Sequence, residues 1–132
     1  MAAEEQNGKP RVAVIGTGGT ISSVGVDSLD LLDYVRNNRI YAVDELLAQV
    51  PELDRIAEIV PVPFRAIPST AMGPAEWLEL NALIHATVAA DASLTGVVIT
   101  HGTASLEETA YFLGLTLKVA VPVVVVCAQR PA

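Results

Sequence analysis

Short apolar runs alternate with longer amphipathic stretches along the chain. Residues 11–15 and 97–100 predict buried strands, and residues 122–127 (PVVVVC) are apolar without alternation, which is typical of a strand covered on both faces. Residues 59–67 contain Pro61 and Pro63, so we expect any strand there to lie at a sheet edge or to be broken. These runs predict the strands of one sheet.

The stretches between the runs carry a helical period. Residues 43–50 predict a short helix that ends before Pro51. Pro74 suits the first turn of a second helix, because a residue there needs no N–H donor. One apolar face recurs at positions i, i+3, i+7 and i+11, namely Trp77, Leu80, Ile84 and Val88.

A third helix is predicted after residue 104. Ser105 and Glu108 give the S-x-x-E pattern of a capping box. Its buried side is expected to carry Leu106, Ala110, Leu113 and Leu117. Residues 22–39 show only weak periodicity and predict a mobile loop. The alternation of strands and helices favours the α/β class with a mostly parallel sheet flanked by helices.

Length, composition and charge narrow the class further. The 132 residues are enough for one domain, predicted over 11–132 behind a disordered tail at 1–10. A net charge of -7 with scattered Lys and Arg argues against nucleic-acid and anionic-membrane partners. There is no apolar leader at the N-terminus and no stretch of membrane-spanning length, so we expect a cytoplasmic protein. Because a valine-rich strand precedes the last residues, we expect the chain to be the front part of a longer protein.

Two glycine-threonine segments follow predicted strands. Thr20 comes after Gly18-Gly19, and Thr103 comes after Gly102. In an open α/β sheet such loops meet at the carboxyl ends of the strands, where ligands bind. Glycine lets a substrate approach the backbone, and nearby N–H groups can stabilise an oxyanion, so either hydroxyl could be a nucleophile. The alternative is a turn with a capping hydroxyl and no catalytic role.

The sequence motifs of nucleotide binding, serine hydrolases and metal sites do not match this chain. A dinucleotide fingerprint fails because Ile21 stands where its third glycine would be, and neither a P-loop nor a G-x-S-x-G elbow occurs. His101 with the acids at 107 and 108 does not have zinc-ligand spacing, so we expect no metal and no cofactor. His85 and His101 are interpreted as structural, and Cys127, within an apolar run, as sheltered and unreactive.

Several stretches taken in order resemble the bacterial-type L-asparaginase family. VAVIGTGGTISS resembles its first threonine motif, and VVITHGTASLEETAYFL followed by PVVVVCAQRP resembles its second motif and the next strand. Between them, IPSTAMGPAEW resembles the family's serine-containing substrate loop. The resemblance covers nearly all of residues 11–132. It implies the Rossmann-like, three-layer N-terminal domain of an asparaginase, without the smaller C-terminal domain.

The resemblance also implies roles for individual residues. Thr20 would be the nucleophile, Thr103 a second threonine that a lysine activates, and Tyr34 a catalytic tyrosine of a mobile lid. Substrate-binding positions would be Gly19, Ser69, Thr70, Gly102 and Ala104. Ser69 would hold the α-carboxylate of the substrate. The family usually has aspartate where this chain has Ala104, which leaves open whether asparagine, glutamine or another amide is the substrate.

Three functions therefore remain open, beside the alternative of a plain α/β structural domain. The first is an amidohydrolase that converts asparagine or a related amide to the acid and ammonia, with this chain too short for activity alone. The second is a non-catalytic amino-acid-binding module, and the third is an amidotransferase component of the same fold. The resemblance also implies a homo-oligomer, a dimer or tetramer, for the complete protein.

Overall fold

The chain folds as alternating strands and helices in a computed structural model that describes residues 8–132. Most of the predicted tail at 1–10 lies outside the described residues. The elements are β1 (Arg11–Gly16), α1 (Val43–Leu47), β2 (Glu58–Pro63), α2 (Pro74–Ala90), β3 (Leu94–Thr100), α3 (Leu106–Thr116) and β4 (Val123–Val126). The α/β class is confirmed.

The four strands form one parallel sheet in the order β2-β1-β3-β4. From β1 the chain steps outward to β2 and then crosses back over β1 to reach β3. The strand order therefore switches between β1 and β3, whose ends pair as Gly16 with Thr100. Because parallel crossovers are right-handed, α1 lies on one face of the sheet and α2 and α3 lie on the other.

The main core lies between the sheet and helices α2 and α3. Leu80 and Ile84, from the predicted stripe of α2, are fully buried, while Trp77 and Val88 are partly buried against the same cluster. The indole of Trp77 stacks on Phe112 of α3 with ring centroids 5.6 Å apart. The sheet contributes Ala13, Ile15, Val97 and Ile99. This packing fixes where the strands end and therefore where the loops of the site begin.

The opposite face is covered by α1 at the end of β1. A Cβ on Gly16 would lie only 2.8 Å from the Cβ of Val43, so the backbone of β1 packs directly against the helix. Helices on both sides make the three-layer arrangement that the family resemblance implies. Pro61 lies in β2, at the sheet edge as predicted, and an edge strand tolerates its missing N–H.

The described residues cover only one face of the strand that the sequence predicts at 122–127. β4 lies at a sheet edge, and Val124 is 51% exposed. A run of valines indicates strand propensity, but it cannot distinguish a strand covered on both faces from one covered on a single face. Cys127, expected to be sheltered, is exposed just beyond the strand.

Candidate active site

Three loops converge at the carboxyl edge of the sheet. Each follows a strand and contains a single turn of 3₁₀ helix: Thr20–Ser22 after β1, Ser69–Ala71 after β2 and Thr103–Ser105 after β3. Two of them leave β1 and β3, the strands between which the order switches. The sequence-predicted threonines therefore lie at the position where ligands bind in open α/β sheets.

Backbone packing brings the two threonine loops into contact. Gly19 has a φ of +82°, and a Cβ on it would overlap the Cα of Gly102. Gly18 has a φ of +91° and is equally crowded by the backbone of Ile67. Only glycine combines such dihedrals with so close an approach. Thr20 follows Gly19 and Thr103 follows Gly102. The contact between the two glycines therefore brings the backbones of the two threonines close together.

Ser69 joins the third loop to this contact. A Cβ on Gly102 would lie 2.6 Å from the Cβ of Ser69, and the Oγ of Ser69 accepts the N–H of Ala104 at 3.2 Å. The hydroxyl of Ser105 donates to the carbonyl of Ser69 at 2.5 Å. The capping box predicted for Ser105 and Glu108 is therefore wrong, because the serine side chain makes no cap bond and holds a neighbouring loop instead.

A cavity of about 150 Å³ opens beside these loops. Among its lining residues are five predicted site residues, namely Gly19, Thr20, Tyr34, Ser69 and Thr70. The Oγ1 of Thr20 lies 3.3 Å from the Oη of Tyr34, which belongs to another single turn of 3₁₀ helix, Tyr34–Asn37. Gly102 is buried against Gly19, whereas Thr103 and Ala104 are exposed next to the cavity and do not line it.

The cavity is lined by one basic residue that sequence reasoning missed, Arg39. Of the described residues that line it, Arg39 alone carries a charge, and none is an acid. The guanidinium carbon of Arg39 lies 5.5 Å from the ring centroid of Tyr41. A cation in such a cleft favours an anionic group on the ligand. Arg39 lies in the loop expected to be mobile, where no local pattern marks it.

Thr17 joins the ends of β1 and β3 through hydrogen bonds. Its N–H and its hydroxyl both donate to the carbonyl of Thr100, each at 3.0 Å. Thr17 is almost completely buried, and no sequence pattern singled it out. These two hydrogen bonds to one carbonyl oxygen fix the spacing between β1 and β3, the strands from which the threonine loops leave.

Comparison with known proteins identifies the family to which this chain belongs. The family described as "Asparaginase, N-terminal" matches residues 11–132, which is nearly the whole chain. The chain belongs to the asparaginase family. It spans about a third of the length of the relatives it matches, so it corresponds to an N-terminal part of them.

Individual asparaginase relatives agree in sequence and in fold. A probable L-asparaginase 4 of Schizosaccharomyces pombe is 42% identical over 93% of this chain and 34% of its own length. A glutaminase-asparaginase of Pseudomonas fluorescens is 37% identical over 91% of this chain and 32% of its own. A crystal structure of a probable cytoplasmic L-asparaginase from Campylobacter jejuni superposes with a TM-score of 0.81 at 39% identity, covering 94% of this chain and 36% of that one.

The relatives differ in the compartment that their names give. One from Haemophilus influenzae, 42% identical over 93% of this chain and 34% of its own length, is named a probable periplasmic L-asparaginase, whereas the Campylobacter jejuni protein is called cytoplasmic. Within residues 8–132 no helix has both the length and the apolar character needed to cross a bilayer. The compartment of this asparaginase-family chain remains an expectation from its sequence.

Proposed function

We propose that the full-length polypeptide containing this chain is an amidohydrolase of the asparaginase type in which Thr20 is the nucleophile. The observation that carries the proposal is the position of the Thr20 hydroxyl. It lies in the cavity, 3.3 Å from the Tyr34 hydroxyl and directly after Gly19, whose backbone packs on the second threonine loop. Membership of the asparaginase family supports amide hydrolysis as the reaction class.

The chemistry would proceed in two balanced steps. The Oγ1 of Thr20 attacks the side-chain amide carbon, the C–N bond breaks, and the hydroxyl proton leaves with the nitrogen as ammonia. Water then attacks the resulting ester, which releases the acid and returns a proton to Thr20. A free threonine hydroxyl is a weak nucleophile, so this scheme needs a neighbouring group to take its proton and donors to stabilise the oxyanion.

Other residues of the site would supply proton transfer and binding. We assign Tyr34 and Thr103 to proton transfer, with Thr103 activated by a lysine as in the family. Neither of the two lysines of this chain is placed to activate Thr103. Lys9 donates to the carbonyl of Asp54, and Lys118 follows the far end of α3.

We assign Ser69, Thr70 and the charge of Arg39 to holding the carboxylate of the substrate, because all three line the cavity. The buried Ser69 is already fixed by its bonds to the Thr103–Ser105 turn, so little side-chain freedom would be lost on binding. Asparagine and glutamine both carry the carboxylate and the amide that this arrangement needs.

Ala104 favours a second candidate function, an amino-acid-binding module without catalysis. Its methyl group supplies no charge to a substrate ammonium group, and its N–H is already donated to Ser69. Calorimetry with aspartate on the full-length polypeptide separates the candidates. Binding without any release of ammonia from asparagine or glutamine would favour the module.

We further propose that the full-length polypeptide is a cytoplasmic homo-oligomer, a dimer or tetramer that completes the site at a subunit interface. Support comes only from family membership and from the exposure of Thr103 at the rim of the site. Sedimentation at several protein concentrations, combined with an activity assay, tests this. A fully active monomer would contradict it.

The decisive test of the proposed reaction is ammonia release by three matched variants of the full-length polypeptide. Thr20→Ala is expected to lower kcat by at least about 10³-fold, whereas Thr20→Ser keeps the hydroxyl and retains measurable turnover. Thr95→Ala, on the exposed start of β3 far from the cavity, is the control and should match the wild type. Wild-type turnover by Thr20→Ala would remove Thr20 from its role.

A further inference from the structure

A hydrogen-bond chain of three side chains lies behind the second threonine loop. His101 is fully buried, with its Nδ1 2.7 Å from the carbonyl oxygen of Gly102 and its Nε2 3.0 Å from the Oγ1 of Thr109. The Nε1 of Trp77 donates to the same Thr109 hydroxyl at 2.9 Å. The chain of bonds therefore runs from α2 through α3 to the loop that carries Thr103.

For a neutral His101 ring, the donors and acceptors allow only one direction along this chain. A carbonyl oxygen can only accept, so the Nδ1 of His101 must carry a proton. The indole N–H of Trp77 can only donate, so Thr109 accepts it and turns its own hydroxyl proton toward the Nε2 of His101. If the His101 imidazole is neutral and protonated at Nδ1, every donor and acceptor in this chain of hydrogen bonds has a partner.

The surroundings of His101 agree with a neutral ring. Burial lowers the pKa of His101 below its ordinary value, and this desolvation outweighs the opposite effect of the Gly102 carbonyl. A second protonated nitrogen would make the Thr109 hydroxyl accept from both Trp77 and His101, and the hydroxyl proton would lose the Nε2 acceptor. The ring therefore stays neutral and keeps its acceptor for Thr109.

The acceptor of this bond belongs to the peptide unit on which Thr103 begins. The carbonyl of Gly102 and the N–H of Thr103 lie in one rigid plane and point in opposite directions. Fixing the carbonyl toward His101 thus directs the Thr103 N–H away from the core. The same glycine is wedged between Gly19 and Ser69, so a rotation of this peptide would disturb both neighbouring loops.

We propose that His101, held as its Nδ1-protonated tautomer by Thr109 and Trp77, is a positioning residue that orients the Gly102–Thr103 peptide for catalysis. Its catalytic part rests on the proposed amidohydrolase function. A histidine that only filled the core would contribute stability without specific dependence on the Nδ1 donor. The positioning role and the core-filling role predict different turnover for replacements of His101 that keep or lose the Nδ1 donor.

Asparagine and glutamine at position 101 separate these two roles in the full-length polypeptide. The amide nitrogen of His101→Asn can occupy the place of Nδ1 and donate to Gly102, whereas His101→Gln places its amide near Nε2 and loses that donor. We expect kcat of His101→Gln to fall by about 10- to 100-fold and that of His101→Asn to stay within about threefold of wild type. KM should change little in either.

His85 offers a matched control pair. Its Nδ1 also faces a carbonyl, that of Asn81 at 2.9 Å, and its Nε2 accepts the N–H of Lys118, but it lies on the outer part of α2 away from the loops. His85→Asn and His85→Gln should leave kcat unchanged. Thermal unfolding of all four variants shows whether a loss of kcat follows a loss of folded protein.

Nitrogen NMR of histidine-labelled full-length polypeptide gives a readout that does not depend on activity. We expect the His101 ring, assigned by its absence in His101→Asn, to show a protonated Nδ1 and a bare Nε2. The opposite tautomer, or equal kcat in the Asn and Gln variants, would overturn the proposal. A wild-type polypeptide that hydrolyses no amide would instead overturn the proposed function and the catalytic role with it, while the tautomer would still report whether His101 holds Gly102.

Discussion

Gly19 and Gly102, on loops that follow different strands, touch through their backbones so closely that a Cβ on Gly19 would overlap the Cα of Gly102. The contact joins the loop after β1 to the loop after β3. It places the residue after each glycine, Thr20 and Thr103, at one edge of the sheet. The proposed chemistry depends on this contact because it requires both hydroxyls to reach one small amide.

Alanine at position 19 should therefore destabilise the fold and the site together. The dihedral φ of +82° is strained for any residue with a Cβ, and the methyl would also collide with Gly102. We expect the free energy of unfolding to fall by at least about 2 kcal/mol, measured by urea denaturation. Gly114→Ala, in α3 with nothing within 4 Å of the new methyl, is the control and should gain about 0.5–1 kcal/mol. Equal stability of the two variants would contradict the contact.

Substitution at Ala104 tests the specificity of the proposed site. Ala104 is exposed, and its N–H is bonded to Ser69, so an aspartate there would lie beside the expected position of the substrate's ammonium group. Ala104→Asp should raise kcat/KM for asparagine about tenfold relative to succinamic acid, which is asparagine without its amino group. Ala104→Asn has the same shape without the charge and should not. A shared response of both variants would show that charge at this position does not select the substrate.

Asp91 gives the fold a defined dependence on pH. The hydroxyl of Ser93 and then the guanidinium of Arg11, at 2.5 and 2.7 Å, lower the pKa of Asp91 from 3.8 to about 2. Because the folded pKa lies below the unfolded one, its contribution to stability is present above pH 3.8 and is lost as the pH falls through about 2.

Asp91→Asn should thus be less stable than wild type near neutral pH, and the difference should shrink between pH 4 and pH 2. Ser93→Ala should remove part of the same pH-dependent difference, since its hydroxyl is the largest cause of the shift. Urea denaturation across this pH range makes the comparison. A gap that stays constant with pH would mean that the carboxylate is not stabilised in the folded chain.

The local patterns of the sequence predicted the elements but not their partners. Pro74 and the apolar stripe through Leu80 and Ile84 located α2, because helix period and helix start are encoded within a few residues. The S-x-x-E pattern at Ser105 failed, since the hydroxyl finds the carbonyl of Ser69, 36 residues away. A capping pattern shows only which local bond is available, and a tertiary contact can replace it.

In the candidate site, too, local patterns predicted some residues, whereas tertiary contacts determine others. The positions of Thr20 and Thr103 at the carboxyl edge followed from strand, glycine and threonine in each segment. Arg39 and the buried Thr109 could not be predicted, because one lies in an irregular loop and the other is a polar residue on an apolar helix face. Each acquires its role from contacts with residues distant in sequence, such as Thr109 with His101 and Trp77.

The most direct test of the central claim is to locate the covalent intermediate. Trypsin places the two threonines on different peptides, Thr20 on residues 12–36 and Thr103 on residues 66–118. We expect mass spectrometry of the full-length polypeptide, quenched in acid during turnover of asparagine, to find an acyl group on the 12–36 peptide at Thr20. An acyl group on the 66–118 peptide, or turnover with no acyl group on either, would contradict the account.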